Sequence, residues 1–320
     1  MKMVKGSSDH TKENAHNNLK IFTYDNLRSA TRNFRPSAML GVSDGESVYK
    51  GWLDGSSLEP SISGVGIAVP IKISNTDNAQ RLKEWQAEVN RGKLSHPNLV
   101  KLLGYYSEDR MLCLVYDHIP KRNLVNLLYR HPLQWDTTMK IATGIAQGLA
   151  FLHTAGDSPV NRTFNPSNVL LNGDFEPQLY FGSASLFRAH GALPVSMSDA
   201  VTSHYIPPEY IATGHWSVKS DVYAFGVMLL DMIAGSHFLD GYSDRPQHSL
   251  IEWARPVLSD TKKLQRIMDP WLEHGNPPKG ASKAAKLILS CLEIDPEIRP
   301  SMKKVMTSLE EIKVCQDVAE

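Results

Sequence analysis

The chain has 320 residues, enough for one large domain or two small ones. Its 34 lysines and arginines balance 34 aspartates and glutamates, so long-range attraction to nucleic acid or an anionic membrane has no compositional support. Hydrophobic residues at 42% exclude a mostly disordered chain, and three widely spaced cysteines, Cys113, Cys291 and Cys315, build neither a disulfide framework nor a paired-cysteine zinc site.

Residues 1–20 are polar without an apolar period and are expected to form a disordered tail. Lys2 stands where myristoylation needs a glycine, and no apolar signal core follows, so a cytoplasmic protein in a reducing compartment is expected. The segment 21–36 is a helical lead-in: Thr23 caps a helix carrying Leu27, Ala30, Thr31 and Phe34 at helical spacing, and Pro36 ends it. From 37 to 119 the apolar segments are short and strand-like, Ser47–Trp52, Gly66–Ile73, Val100–Tyr106 and Met111–Tyr116. One helix interrupts them, from about Gln80 to Lys93, with Leu82, Trp85 and Val89 as its apolar stripe.

From 120 to 313 the pattern turns helical: Asn123–Tyr129, Trp135–His153, Ser220–Ala234, Leu250–Ala254, Lys283–Leu292 and Met302–Ile312, before a short tail at 314–320. The stretch Phe181–Pro208 has little periodicity and reads as a long functional loop. The longest near-continuous apolar run, Tyr223 to Leu230, falls far short of the roughly 20 residues of a membrane span. The expected fold class is α+β, a small β-rich lobe with one helix followed by a large helical lobe.

Read in order, the landmarks resemble a eukaryotic protein kinase over about residues 37–313. Val69-Pro70-Ile71-Lys72 is similar to the V-A-I-K strand, Glu88 sits where the lysine's partner lies, and Asn161-Arg162-Thr163 with Asn168 occupies the catalytic loop. Pro207-Pro208-Glu209 stands for A-P-E, while Ser220-Asp221 through Gly226 and Ile298-Arg299-Pro300 complete the helical lobe. Phe22-Thr23-Tyr24, Ser95-His96-Pro97-Asn98-Leu99-Val100-Lys101-Leu102 and Trp253-Ala254-Arg255-Pro256 narrow the resemblance to plant receptor-like cytoplasmic kinases of subfamily VII, in the receptor-like kinase/Pelle group.

Against that pattern the chemistry is degenerate. Phosphoryl transfer is positioning plus charge neutralisation, by a glycine-rich loop, a Lys–Glu pair, Mg²⁺ and a proton-accepting Asp. The loop Leu40 to Val48 keeps Gly41 and Val48 but has Ser43 and Glu46 at the second and third glycine positions, so Glu46 brings negative charge beside the phosphates. Pro70 removes a strand donor and adds bulk where the family packs adenine. Thr163 replaces the base and Asn165 the lysine two residues on. The D-F-G aspartate falls on Phe181 by simple spacing, or on Tyr180 when Phe181-Gly182 is aligned with the end of the motif; neither is a carboxylate. Asp174 comes too early to replace it.

The resemblance therefore implies a nucleotide-binding vestige of Gly41, Val48, Lys72, Glu88 and Asn168, weak ATP binding at most, no metal and no required cofactor. Glu209 with Arg299, and Asp221, are expected to hold the helical lobe together. Arg162, Ser196, Ser198, Thr202 and Ser203 mark a regulatory loop where related kinases are phosphorylated. The expected function is that of an inactive pseudokinase: a scaffold, adaptor or decoy beneath receptor-like kinases, other cytoplasmic kinases or an immune receptor, held at the plasma membrane through such partners. The alternative is a weakly active or unconventional serine/threonine kinase, or an ATP-binding switch without turnover.

Overall fold

The computed structural model describes residues 18–43, 45–75, 79–108, 110–117, 122–130, 133–155, 164–180, 204–234, 250–260, 262–264, 268 and 279–317. The lead-in opens with β1 (Lys20–Ile21), so Lys20, assigned above to the tail, is already in the sheet. Helix α1 (Tyr24–Ala30) starts at the expected cap: Thr23 Oγ1 accepts from the Asn26 amide at 3.1 Å, and the Asn26 side chain accepts from the Thr23 amide at 3.2 Å. It stops short of Phe34 because Arg32, Asn33 and Phe34 all take positive φ, which a right-handed helix cannot continue.

Six strands form the first sheet in the order β1-β5-β6-β4-β3-β2, with β2 (Met39–Ser43), β3 (Glu46–Leu53), β4 (Ile67–Asn75), β5 (Leu102–Glu108) and β6 (Met111–Tyr116). All neighbours pair antiparallel except β1 with β5. Because side chains alternate along a strand, the sheet needs a cover on each face. α1 and its flanks cover one, where Phe22, Leu27 and Ala30 meet Val69, Ile71, Cys113 and Val115. On the other, α2 (Ala79–Gly92) sets Trp85 and Val89 against Val48, Leu112 and Leu114. Pro70 sits opposite Lys50 of β3 and just before the β4–β6 ladder begins at Ile71, which is how a strand tolerates it.

A short three-stranded sheet, β7 (Arg122–Asn123), β8 (Val169–Leu171) and β9 (Pro177–Leu179), joins the lobes; the sequence reading missed it because its strands are too short to show a period. The helical lobe contains α3 (Leu124–Arg130), α4 (Trp135–Thr154), α5 (Pro208–Thr213), α6 (Val218–Ala234), α7 (Leu250–Leu258), α8 (Ala281–Cys291) and α9 (Met302–Asp317). Helix α6 is buried along its length, and the main core forms around it and α4. This is the two-lobed α+β architecture expected from the sequence. Among the described residues no helix is long and apolar enough to cross a membrane.

Candidate active site

β4 points Lys72 away from α1 and toward α2, where its ammonium meets Glu88 Oε1 at 2.7 Å. Glu88 is fixed in turn, because Oε2 accepts the Tyr116 hydroxyl of β6 at 2.6 Å. A second carboxylate completes the group: Glu46 Oε1 lies 3.1 Å from the same ammonium and accepts from Ser74 Oγ at 2.8 Å. Lys72 is 4% exposed. Burial pulls its pKa down, and the carboxylates of Glu88 and Glu46 more than offset that, so the amine is held above its ordinary value and fully charged.

Tyr180 follows β9 directly, its amide donating to the Asn168 carbonyl at 2.9 Å. Its ring packs edge-on against Tyr116 at 5.3 Å and is buried in the same cluster as Trp85 and Val48. Burial pushes both phenols up, so each stays neutral. At Tyr180, one of the two positions where the resemblance puts a metal-binding carboxylate, a buried aromatic ring stands instead. Asn168 ends a short 3₁₀ turn from Pro166, and its side-chain amide donates to the Tyr180 carbonyl at 3.3 Å. Asn165 caps that turn, its side-chain oxygen accepting from the Ser167 amide at 2.9 Å, which is a structural use of a residue standing in the lysine position. Asp174 is exposed in the β8–β9 turn, where Lys140 donates to its carbonyl at 2.7 Å, well outside this group.

Gly41 lies in β2 at a register irregularity, and Val48 is fully buried beneath the loop. The loop turns at Gly45, with φ at +73°, the left-handed region that favours glycine. Thr163, Arg162, Phe181, Ser196, Ser198, Thr202 and Ser203 lie outside the described residues. The donor set does not fit a pair of Mg²⁺ ions: among the described residues no three His, Cys, Asp or Glu side chains converge, the Glu46 and Glu88 carboxylates near Tyr180 are both taken by Lys72, and Asn168 adds a single amide.

The helical lobe holds the other retained residues. Glu209, at the start of α5, meets Arg299 through two parallel bonds of 2.8 Å, and Ser220 Oγ donates to the same carboxylate at 2.9 Å. Arg299 also donates to the carbonyls of Glu293 at 2.7 Å and Lys219 at 2.9 Å, and stacks over Tyr223. Asp221, fully buried on α6, accepts from Trp216 Nε1 at 3.1 Å and lies 2.9 Å from His153 Nε2 at the end of α4. Tyr205 is tied to α6 by a 2.5 Å bond to Asp231. His153, Trp216, Tyr116 and the Glu46 contact escaped the sequence reading; all four need strand register or helix packing to be seen.

Residues 64–309 match the protein kinase domain family. The chain is 43% identical to serine/threonine-protein kinase PBL34 of Arabidopsis thaliana over 96% of its own length and 63% of that protein. It is 43% identical to receptor-like cytoplasmic kinase 176 of Oryza sativa subsp. japonica over 92% of itself and 77% of that protein. Among solved structures it superposes on the pseudokinase domain of BIR2, described as an immune regulator of the RLK/Pelle family, with a TM-score of 0.66 and 25% identity, covering 96% of this chain and 92% of that one.

These relatives correct the expectation of an inactive chain. Several at 42–44% identity are named serine/threonine-protein kinases, which points to an active kinase. The physical reason the motif reading overreached is that a lost general base costs about 10²–10⁴ in rate, and such losses do not simply multiply. Positioning by an assembled Lys–Glu pair survives them.

Proposed function

The chain belongs to the protein kinase domain family, among the plant receptor-like cytoplasmic kinases, and from that premise we propose that it is an unconventional serine/threonine kinase of low turnover. The observation that carries the reading is the buried Lys72–Glu88 pair at 2.7 Å, braced by Tyr116. Such a pair holds nucleotide phosphates in place, and positioning is the largest part of phosphoryl transfer that a protein supplies. Lys72 orients the phosphates and Glu88 keeps Lys72 aimed. The buried Asn168 amide and the Tyr180 ring set the floor beneath them. Nucleotide affinity is weak, since Pro70 and the loop carboxylate both work against it. No step is assigned to a metal, because the described donors do not fit one.

The partners that suit the family are receptor-like kinases or other cytoplasmic kinases, through which the chain reaches the plasma membrane. The likeness to BIR2 supports the immune branch and an adaptor role alongside phosphotransfer. The test is radiolabelled ATP with the purified full chain and a Lys72→Ala variant. Incorporation at roughly 10²–10⁴ below the usual kinase turnover of about 1–100 s⁻¹, and lost in the variant, is expected. Incorporation no greater than in Lys72→Ala overturns the kinase reading and leaves the adaptor alone.

A further inference from the structure

An ammonium has three N–H donors. On Lys72 one is taken by Glu88 at 2.7 Å, and Glu46 stands at 3.1 Å in the direction of the loop. This second contact is built in. The β3–β4 register sets Glu46 opposite Ser74 and Val48 opposite Lys72, so Glu46 and Lys72 are diagonal neighbours on one face of the sheet. The Ser74 hydroxyl fixes the carboxylate at 2.8 Å, and the Glu46 side chain is only 17% exposed. At the tip of the same turn, Arg81 of α2 lies so close to Gly45 that an added Cβ there would meet its guanidinium at 2.7 Å. Arg81 thus lies against the tip of the turn that Glu46 leaves toward Lys72.

We infer that Glu46 is an affinity-determining residue of the nucleotide site: its carboxylate occupies one of the two Lys72 donors left after Glu88, so an arriving phosphate competes with it for the ammonium. The inference deepens the kinase reading and rests on it. A single ammonium between two carboxylates leaves the cluster with an excess negative charge, and a polyphosphate entering it meets Glu46 as a like charge. A glycine at this position, as in the G-x-G-x-x-G pattern, has no side chain to compete.

Isothermal calorimetry of ATP, with and without Mg²⁺, on the full chain and on Glu46→Gly and Glu46→Gln tests the latch. Thermal unfolding of each variant checks that it is folded, and the isosteric glutamine guards against a folding failure of the glycine variant. Both variants are expected to bind ATP about tenfold tighter than the natural chain. Ser74→Ala, which only loosens the carboxylate, gains less. If the natural chain binds ATP and neither variant binds it tighter, the latch is overturned and the kinase reading stands. If only the variants bind, the latch holds and the natural chain is not a kinase. No binding by any of them overturns both. Affinity that falls in the variants, and only with Mg²⁺ present, overturns the latch by assigning Glu46 to a cation.

Discussion

Each lobe of the molecule buries a cation against a carboxylate, and the two are built to different ends. In the helical lobe Arg299 faces one carboxylate in a two-bond fork and spends its remaining donors on the carbonyls of Glu293, Lys219 and Ile294. Its charge is matched and its geometry closed, which is what a structural tie requires. In the small lobe Lys72 faces two carboxylates, Glu88 and Glu46, so the cluster carries surplus negative charge next to a loop. A balanced pair holds two elements together, whereas an unbalanced one is sensitive to the next charge that arrives. Here that difference separates what anchors the fold from what handles the ligand.

Breaking the balanced side has the largest expected effect. Glu209→Ala leaves Arg299, 1% exposed, without its carboxylate, and such a buried unpaired charge costs about 3–5 kcal/mol. Urea unfolding of the variant measures it. Replacing both partners with apolar residues of similar volume recovers most of the loss, because the penalty belongs to the orphaned charge rather than to the pair. A loss below about 1 kcal/mol in Glu209→Ala would place this pair with ordinary surface ion pairs.

The matched tie and the unmatched cluster were unequally legible in the sequence. Glu209, Arg299, Lys72 and Glu88 stand in a motif order that can be read without coordinates, and apolar spacing located the strands β3 to β6 and the long helices. Glu46 was visible as a charge beside the loop but not as a ligand of Lys72. That contact depends on which β3 residue faces Ser74, and a slip of one residue would turn Glu46 to the opposite face. Tyr116 was hidden for the same reason, since it reaches Glu88 only because α2 crosses above β6. Tyr180 was one of two positions, with Phe181, that the motif pattern offered, and its burial against Tyr116 follows from packing. The end of α1 was overestimated because periodicity continues to Phe34 while the backbone has already turned left-handed at Arg32.

A smaller effect separates the two sites by pH. At Glu209 burial raises the carboxyl pKa, but Arg299 and Ser220 outweigh it, so the folded value lies below the ordinary 4.5. A depressed folded pKa contributes stability that is complete above the unfolded value and is lost as pH falls through the folded one. The chain is therefore expected to lose stability as pH drops below about 4.5, and the difference between it and Glu209→Gln should shrink over that same window. Urea midpoints from pH 3 to 7 measure it. A difference that stays constant across this range would show that the tie does not titrate.

The smallest effect asks whether the two lobes open together. Cys113 lies on β6 in the compact core between the sheet and α1, while Cys291 ends α8 within the main helical core, packed against Gly226. Both are buried, and burial pushes both thiols up to about 12, so neither reacts at pH 8 until its surroundings open. Labelling with a small thiol reagent under native conditions, in a Cys315→Ser background that leaves two thiols, therefore reports local opening in each lobe separately. On the face of Cys113 the sheet is covered by one short helix, α1, and its flanks, whereas the helix of Cys291 packs on both α6 and α7, so Cys113 is expected to label first. Each 1.4 kcal/mol between their opening free energies is about tenfold in rate. ATP at saturating concentration should slow Cys113 and leave Cys291 unchanged, because β6 carries Tyr116 into the Lys72 cluster and α8 is remote from it. Equal rates for the two thiols would mean that the lobes open as one unit; the contrast between a structural tie and a responsive cluster would then hold for charge but not for motion.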